Sequence, residues 1–459
     1  MYHPHLMVSV SGVRGRVGES LTPEIIARFA AGFGAWSAQR AGGSGPATII
    51  IGRDSRVSGP LLHRAAVSGL QSVGCRILAV GIAPTPTIQM AVEHHHAAGG
   101  LALTASHNPI EWNALKFIGP TGLFLQAAEG AEMRAVVEGD IPRASWDRLG
   151  TIDRDQDAIE RHIGAILALE YLDVAAIRKR RFKVALDCVR GAGGMMMPEL
   201  LDRLGCEVLA INLETDGRFP REPEPVAENL GELEALVTSS GADVGFAVDP
   251  DVDRLSLVSE EGRAVGEDYT LALAARVVLA RKPGVVVTNL STSRIVDDLA
   301  ASRGGRVIRA PVGEVNVAVR MRDERAPVGG EGNGGVILQD LHLGRDAPVA
   351  AALILQLLLD EGESLSRIVG RYPRYVIVKD KLDRPAGALD AVYAALREAF
   401  ADAAVDTQDG LRLSWQDRWL HVRPSGTEPI VRVIAEGTDE DQARHMIRVS
   451  RERLAALAG

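Results

Sequence analysis

Gly99-Gly100-Leu101-Ala102-Leu103-Thr104-Ala105-Ser106-His107-Asn108-Pro109 is the stretch of sequence that decides how this chain folds. Its apolar half begins at two glycines and ends at a polar turn with proline, a pattern that predicts a buried strand. The strand places Ser106 in a loop at its carboxyl end. A serine in such a turn usually bonds only nearby backbone, so the stretch by itself is weak evidence of catalysis. Its function therefore depends on what other loops contribute.

Length and composition indicate a multidomain globular protein. The chain has 459 residues, which is too long for a single core and predicts about three to four domains. A hydrophobic content of 46% and a charged content of 24% are ordinary for this class. The formal net charge of -9 argues against a nucleic-acid partner, although a local basic site could still bind phosphate. The basic run Arg178-Lys179-Arg180-Arg181 is interpreted as a solvated connector.

Neither export nor membrane insertion is indicated. Residues Met1 to Val13 lack a basic region leading into an apolar one, so no export signal is expected. The longest apolar stretch, Ala347 to Leu359, is too short to cross a bilayer. The three cysteines are isolated, without the paired spacing of zinc or redox sites, and are interpreted as packing residues. We therefore expect a cytoplasmic protein without a membrane partner.

The order of predicted elements repeats three times over the first 370 residues, as strand, helix, strand, helix, strand and loop. The third strands are predicted at Gly100 to Leu103, Val244 to Val248 and Arg325 to Gly329. In each repeat the loop richest in polar residues follows that third strand, and ligands of α/β units bind at the carboxyl ends of strands. The near-continuous apolar strands predict parallel or mixed sheets covered on both faces. The fold class is thus α/β, with three related units and a smaller C-terminal α+β domain.

The loop after the second of these strands, Asp249-Pro250-Asp251-Val252-Asp253-Arg254, is the most specific. In an extended segment alternate side chains share a side, so the three aspartates can converge on one cation. Oxygen ligands alone suit magnesium. The carboxylates would repel one another by about 4 kcal/mol per close pair at an effective dielectric constant of 20, and a divalent ion would reverse this. The loop therefore predicts a magnesium site.

The spacing of this loop is compatible with two other kinds of site. A calcium helix-loop-helix site needs glycine where Arg254 stands and helices where the flanking segments are predicted strands, so it fails. A phosphatase that uses Asp249 as nucleophile would fit the strand before it. That interpretation leaves the Ser106 loop unexplained.

Further polar residues could complete a site. Lys116 and Arg14 are cations that could stabilise developing oxyanion charge beside a serine or a phosphate. The loop from Gly330 to Gly335 carries Glu331 and Asn333, a carboxylate and an amide that could reach the hydroxyls of a ligand.

Two polar runs remain. The run Arg423-Pro424-Ser425-Gly426-Thr427-Glu428-Pro429 combines a guanidinium, two hydroxyls and backbone amides, which is a suitable phosphate nest. The run His94-His95-His96 is interpreted as a helix end rather than a metal site, because consecutive residues on a helix do not face one ion.

Four of these motifs occur in the order and approximate spacing of the α-D-phosphohexomutases, and the chain resembles that family over essentially its whole length. They are Thr104 to Pro109, Asp249 to Arg254, Gly330 to Gly335 and Arg423 to Pro429. The resemblance implies four domains around a central cleft and reversible transfer of a phosphoryl group between the 1-OH and 6-OH of a hexose. The domains are placed at 1–147 (phosphoserine), 148–262 (magnesium loop), 263–371 (sugar recognition) and 372–459 (phosphate binding).

The resemblance also implies a role for each candidate residue. Ser106 would be the phosphoserine and would hold magnesium together with Asp249, Asp251 and Asp253. The groups around the transfer would be Arg254, His107, Lys116 and Arg14, with the choice of general base between Lys116 and His107 left open. Glu331 and Asn333 would contact the sugar hydroxyls, and Arg423, Ser425, Gly426 and Thr427 the phosphate that does not react.

The implied ligands are one Mg²⁺ per chain, a hexose phosphate substrate and a sugar 1,6-bisphosphate activator, in a monomer or homodimer. The expected sugar depends on two departures from the residues common in this family. Glu314, in Val312-Gly313-Glu314, and Asn333 replace a histidine and a serine that are common in mannose and glucose enzymes. An acidic residue at Glu314 resembles the phosphoglucosamine mutases, although their common bacterial form has serine in the loop from Gly330 to Gly335.

The sequence favours glucosamine phosphate as substrate. The alternatives are a phosphomannomutase or phosphoglucomutase, a magnesium-dependent phosphatase, and a catalytically silent protein that only binds sugar phosphate.

Overall fold

Three sheets of related topology and one antiparallel sheet organise the chain. The computed structural model describes residues 3, 5–10, 12–43, 45–384, 389–425 and 430–458. The predicted fold class is confirmed, with three α/β domains that contain mixed sheets and a smaller C-terminal domain.

The first domain contains a seven-stranded sheet. Its strands are β1 (Met7–Ser9), β2 (Gly12–Arg16), β3 (Thr48–Arg53), β4 (Arg76–Ile82), β5 (Gly99–Leu103), β6 (Trp112–Ile118) and β7 (Ile152–Arg154). Its helices are α1 (Pro23–Ala41), α2 (Gly59–Gln71), α3 (Thr85–His94) and α4 (Ala127–Glu138). The strand order is β1-β2-β6-β5-β3-β4-β7. Because β7 pairs with β4, this sheet extends past residue 147, where the sequence placed the first boundary.

The second domain repeats the central part of this topology. It contains β8 (Lys183–Asp187), β9 (Glu207–Ile211), β10 (Val244–Val248) and β11 (Leu255–Ser259), with α5 (Ala158–Leu167), α6 (Val174–Arg180), α7 (Met197–Arg203) and α8 (Gly231–Ser240). The order is β11-β10-β8-β9, and β11 is antiparallel to β10.

The third domain has the same order. It contains β12 (Val285–Asn289), β13 (Arg306–Ala310), β14 (Val328–Glu331) and β15 (Gly335–Leu338), with α9 (Glu267–Arg281), α10 (Ile295–Ala301), α11 (Glu314–Glu324), α12 (Ala347–Glu361) and α13 (Leu365–Val369). The order is β13-β12-β14-β15. The third strand begins at Val328, so the prediction of Arg325 to Gly329 was wrong at this end. Arg325 instead caps α11 in a left-handed conformation, with φ of 51°, and Pro327 lacks the N–H that a strand interior uses.

The fourth domain is built on an antiparallel sheet. It contains β16 (Val376–Asp383), β17 (Ala404–Asp406), β18 (Leu411–Ser414), β19 (Trp419–Pro424) and β20 (Ile430–Gly437), with α14 (Asp390–Ala399) and α15 (Glu440–Ala458). The strand order is β16-β20-β19-β18-β17. This domain has a hydrophobic core of its own.

The second and third domains share one hydrophobic core, in which α9 and α12 are central. Residues 347–358 of α12 are buried, so the longest apolar stretch of the sequence is a core helix. Each fully buried large aliphatic side chain stabilises such a core by about 1.5–3 kcal/mol. Within the described residues, none of the helices is long and apolar enough to span a membrane. The shared core fixes the loop after β10 and the loop after β14 on one rigid support.

The three cysteines are buried and the histidine run lies at a helix end, as predicted. Cys75, Cys188 and Cys206 are buried thiols, and burial raises the pKa of Cys75 to about 11. His94 ends α3, and the next residue, His95, pairs with Asp155 at 2.8 Å.

Candidate active site

The loops after β5, β10 and β14 meet at one cavity. In each domain the third strand turns back into an antiparallel fourth strand, so each loop is held between two paired strands. The cavity has a volume of about 340 Å³. The predicted site residues in its lining are Arg14, Ser106, His107, Lys116, Arg254, Glu314, Glu331 and Asn333.

Ser106 is buried and its hydroxyl donates to Oδ2 of Asp249 over 2.9 Å. The same oxygen lies 3.3 Å from Nδ1 of His107. Ser106 has φ of 49°, a left-handed conformation that is uncommon outside glycine and that costs about 1–3 kcal/mol. The loop therefore holds the serine in a strained conformation that aims its hydroxyl at the aspartate loop.

Arg56 holds the serine loop in this shape, and sequence analysis gave it no role. Its guanidinium is fully buried and pairs with Asp54 at 3.0 Å. It donates to four carbonyls of the loop and of the first residue of β6, those of Ser106 (2.7 Å), Asn108 (2.6 Å), Pro109 (2.7 Å) and Trp112 (3.0 Å). The signal in the sequence was the charged pair in Gly52-Arg53-Asp54-Ser55-Arg56, directly after an apolar strand.

The three aspartates of the second loop lie close together, as predicted. All are buried, and one oxygen from each lies within 4.8 Å of the others. Oδ1 of Asp251 and Oδ1 of Asp253 have no hydrogen-bond partner among the described residues. A buried carboxylate oxygen without a partner costs about 1–3 kcal/mol, so a cation bound between these atoms would stabilise them. The oxygen-only donor set fits magnesium.

The aspartates converge through a tight turn and not through the extended segment that the sequence predicted. The N–H of Val252 donates to the carbonyl of Asp249 over 3.1 Å, and Val252 has φ of 62°. Oδ1 of Asp249 accepts the N–H groups of Asp253 (3.1 Å) and Arg254 (3.2 Å). The turn is therefore closed by its own first carboxylate.

The turn concentrates negative charge. Burial, together with the charges of Asp253 and Asp251, raises the pKa of Asp249 well above its ordinary value. Burial also opposes ionisation of Asp251, but the Lys116 ammonium at 2.8 Å and the Thr85 hydroxyl at 2.8 Å hold its pKa below the ordinary value. Metal ligands bind in their deprotonated form, so a cation would compete with protons for this site.

Cations lie on the serine side of the cavity. Arg14 donates to Oδ1 of Asn108 over 2.7 Å, and burial lowers its pKa, with the charges of Arg56 and Arg254 opposing that of Asp251. Arg254 pairs with Glu224 at 3.2 Å. Glu224, which sequence analysis did not single out, thus limits where the Arg254 guanidinium can reach.

His107 is held as a neutral imidazole. Burial, reinforced by the positive charges of Arg254 and Arg14, lowers its pKa to about 2. A neutral ring nitrogen can accept a proton, and Nδ1 lies 3.3 Å from the Ser106 hydroxyl.

The opposite wall consists of carboxylates around Arg345, a residue that sequence analysis missed. Arg345 pairs with Glu314 at 3.0 Å, with Glu331 at 2.8 Å and with Asp253 at 2.6 Å. Burial raises the pKa of Glu314, against the opposing effect of Arg345. For Glu331, Arg345 and the Asn289 amide outweigh burial and lower the pKa. The sequence signal was the charged pair Arg345-Asp346 directly before the apolar run that forms α12.

Asn333 and Gly334 shape the loop from Gly330 to Gly335, named the sugar loop after the role that the sequence predicts for it. Oδ1 of Asn333 accepts the N–H of Gly335 over 3.2 Å, which closes the turn. The carbonyl of Gly334 accepts the N–H of Leu255 over 3.0 Å. Gly334 has φ of 88°, and a Cβ atom there would lie 2.5 Å from the carbonyl oxygen of Leu255. The sugar loop and the end of the aspartate loop are therefore joined through backbone.

Comparison with known families identifies the architecture. Family models described as phosphoglucomutase/phosphomannomutase, alpha/beta/alpha domain I, II and III match residues 6–141, 160–262 and 266–375, and the C-terminal domain model matches 375–449. The chain belongs to this family. It is thus a phosphohexomutase, an enzyme that transfers phosphate within a sugar phosphate, and its family depends on magnesium.

Individual relatives of this phosphohexomutase carry names of the same family. A protein of Methanopyrus kandleri named "Probable phosphoglucosamine mutase" is 38% identical over 442 residues, 95% of each chain. A "Phosphoglucomutase/phosphomannomutase" of Thermococcus kodakarensis is 40% identical over 447 residues, 95% of this chain and 96% of the relative. The crystal structure of a phosphoglucomutase/phosphomannomutase family protein from Burkholderia thailandensis superposes with a TM-score of 0.84 at 25% identity, covering 100% of this chain and 98% of the other.

The fourth domain of the phosphohexomutase approaches the cavity through an aspartate. Arg423, in β19, pairs with Oδ2 of Asp409 at 2.9 Å, and the same oxygen accepts the N–H of Val312, a residue of the cavity lining, over 3.1 Å. Within the described part of the chain, Arg423 and Ser425 are not lining residues of the cavity. The other members of the predicted nest, Gly426, Thr427, Glu428 and Pro429, lie outside the described residues.

A second group of possible metal ligands, His162, His342 and Asp346, is hydrogen-bonded within itself. Nδ1 of His342 accepts the N–H of Gly344 over 3.1 Å, so the proton of a neutral ring sits on Nε2 and is donated to Asp346 over 3.0 Å. Nε2 of His162 lies 2.7 Å from the same carboxylate oxygen. This tautomer leaves Nε2 of His342 without a lone pair for a metal. The group instead ties the second domain to the segment before α12.

Proposed function

We propose that this phosphohexomutase interconverts glucosamine 6-phosphate and glucosamine 1-phosphate. The observation that carries the proposal is a pair of carboxylates in the cavity lining, the buried Glu331 and Glu314, whose side chain is 9% exposed. They share the guanidinium of Arg345, so the wall keeps an excess of negative charge. The ammonium group of glucosamine would offset that charge, whereas the 2-hydroxyl of glucose or mannose would not.

In this proposal Ser106 carries the phosphoryl group. The bond between phosphorus and Oγ of Ser106 breaks as the sugar hydroxyl forms its own bond to phosphorus. The proton of that hydroxyl passes to a base in the cavity lining, for which Lys116 and His107 are the two candidates; the low pKa of His107 makes its neutral ring a weak acceptor, and Lys116 is engaged in an ion pair with Asp251. Arg14 and Arg254 offset charge on the transferring oxygens.

The metal fits the site described above. Asp249, Asp251 and Asp253 would hold Mg²⁺, which supplies charge neutralisation at the phosphoryl group. The second half of the cycle returns the other phosphate of the sugar to Ser106, after the bisphosphate has reversed its orientation. A sugar 1,6-bisphosphate would also load unmodified enzyme, which makes it an activator. Residues around Arg423 would hold the phosphate that does not react.

The relatives support more than one sugar. The name of the Methanopyrus kandleri protein favours glucosamine phosphate, and that of the Thermococcus kodakarensis protein favours glucose and mannose phosphates. The second candidate is therefore a phosphoglucomutase/phosphomannomutase. Contacts at Asp249 disfavour a phosphatase with an aspartate nucleophile, since Oδ1 accepts two backbone N–H groups and Oδ2 accepts the Ser106 hydroxyl.

A substrate panel tests the proposal. Purified enzyme would be primed with the matching 1,6-bisphosphate and assayed with glucosamine, glucose and mannose 6-phosphates, with Ser106→Ala as the inactive control. We expect the highest kcat/KM for glucosamine 6-phosphate. Glu314→Gln should lower kcat/KM for that sugar more than for glucose 6-phosphate. A preference for glucose or mannose phosphate in the unmodified enzyme would support the second candidate.

A further inference from the structure

We propose that Arg345 is a positioning residue that sets metal affinity and sugar choice together. Its side chain is 9% exposed and lies between the aspartate loop of the second domain and the sugar-facing carboxylates of the third. Each of the three nitrogens of its guanidinium contacts one carboxylate, and these are Asp253 (2.6 Å), Glu314 (3.0 Å) and Glu331 (2.8 Å). The sugar part of this inference rests on the proposed function, and the metal part does not.

On the metal side, Arg345 fixes the orientation of Asp253. Nη2 donates to Oδ2 of Asp253, which leaves Oδ1 as the oxygen without a hydrogen bond among the described residues. Rotation of the carboxylate by half a turn would exchange these two oxygens, and the short bond to Arg345 opposes that rotation. The outer partner of a metal ligand usually changes affinity or activity by about 10–100-fold.

On the sugar side, Arg345 sets the spacing between Glu314 and Glu331. Nε donates to Oε2 of Glu314, and Nη1 donates to Oε2 of Glu331. A guanidinium is planar and rigid, so its N–H groups define the distance between the two acceptors. A lysine ammonium would keep the charge and lose this geometry.

The surroundings of Arg345 hold it in place. Its backbone N–H donates to Oε1 of Glu314 over 3.3 Å. The next residue, Asp346, caps α12 by accepting the N–H of Val349 over 2.9 Å and accepts from His162 and His342. A Cβ atom at position 335 would lie 2.3 Å from Cδ of Arg345, so Gly335 leaves the room that the side chain occupies.

The test compares Arg345→Lys with a matched control, Arg276→Lys. Arg276 is a mostly buried guanidinium at a distance from the cavity, where it pairs with Glu361 at 2.7 Å and Tyr372 at 2.7 Å. Mg²⁺ binding to unphosphorylated protein would be measured by calorimetry, and kcat and KM would be measured for glucosamine and glucose 6-phosphates. Thermal unfolding would report the stability of each variant.

We expect Arg345→Lys to weaken Mg²⁺ binding by about 10-fold or more and to reduce the ratio of kcat/KM between the two sugars. Arg276→Lys should lower thermal stability and leave both quantities unchanged. Unchanged Mg²⁺ affinity in folded Arg345→Lys would overturn the inference. An equal loss of Mg²⁺ affinity in both variants would also overturn it, since this would indicate a general effect of stability. If the unmodified enzyme prefers glucose phosphate, the proposed function fails while the metal result still decides this inference.

Discussion

The hydroxyl of Ser106 lies 2.9 Å from Oδ2 of Asp249, so the serine loop of the first domain and the aspartate loop of the second are in direct contact. The two residues are 143 positions apart in the chain. Their contact requires that the domains be fixed relative to one another. The hydrogen bonds from Thr85 of α3 to Asp251, with the hydroxyl at 2.8 Å and the N–H at 2.9 Å, serve the same purpose.

Ser106→Ala should abolish mutase activity and leave the protein folded. The hydroxyl accounts for one bond to Asp249, whereas the carboxylates themselves would supply most of the binding of Mg²⁺. Coupled assay of turnover and calorimetric titration with Mg²⁺ would measure the two effects separately. Turnover close to that of the unmodified enzyme would contradict the assignment of Ser106.

Arg56→Lys should lower both stability and kcat. An ammonium has three donors, and Arg56 serves four carbonyls of the serine loop besides Asp54. A shift of the serine by about 1 Å can cost about 100-fold in rate. Thermal unfolding and steady-state kinetics would be compared with Arg53→Lys, in which a half-buried neighbour loses one bond to the carbonyl of Asp54. Similar kinetics in the two variants would argue against this role of Arg56.

Gly334→Ala should reduce kcat/KM strongly. Gly334 has a positive φ, and an added Cβ would lie 2.5 Å from the carbonyl oxygen of Leu255, so the sugar loop would move away from the aspartate loop. The matched control is Gly304→Ala, at φ of 69° with open space around the Cβ position, which should cost about 1–2 kcal/mol in unfolding free energy and little activity. Kinetic assay and denaturant unfolding of both variants would separate the two effects. Full activity in Gly334→Ala would show that the loop tolerates the shift.

Asp268→Asn should stabilise the protein at alkaline pH. Burial raises the pKa of Asp268 to about 7, against the N–H of Ser293 and with the charges of Glu436 and Glu267 adding to the effect. The folded protein therefore retains a proton that the unfolded chain releases, so this group makes folding less favourable as pH rises from about 4 to 7. Asparagine keeps an oxygen that can accept the N–H of Ser293, whose nitrogen lies 2.8 Å from Oδ1 of Asp268. The gain in Tm over the unmodified protein should be larger at pH 8 than at pH 5, and a gain independent of pH would contradict the assignment.

The site residues that could be predicted from the sequence lie in or beside the ends of strands. Ser106, Lys116 and the three aspartates belong to local motifs beside apolar strands, and the strand order of an α/β domain brings such ends together. The repeat of strands and helices predicted the fold class for the same reason. Domain limits at 147, 262 and 371 stay predictions.

Other residues depend on contacts that local patterns do not contain. Arg345 contacts Asp253 across 92 positions, and Arg56 contacts the serine loop across about 50, so the charged residues in their own segments did not reveal these partners. The turn of the aspartate loop was missed because Val252, a β-branched residue, adopts a left-handed conformation that its side chain disfavours. Tertiary packing therefore imposes a backbone conformation that the intrinsic preference of valine disfavours.

The described lining of the cavity includes four cations, Arg14, Lys116, Arg254 and Arg345, and two carboxylates, Glu314 and Glu331. The protein as a whole carries a formal charge of -9 and repels anions at long range. Capture of a phosphorylated sugar must then rely on the local electric field, which low-dielectric walls concentrate inside a cleft. We expect that field to turn an incoming sugar so that its phosphate leads, and dissolved ions at 0.1 M ionic strength would screen this steering beyond about 10 Å.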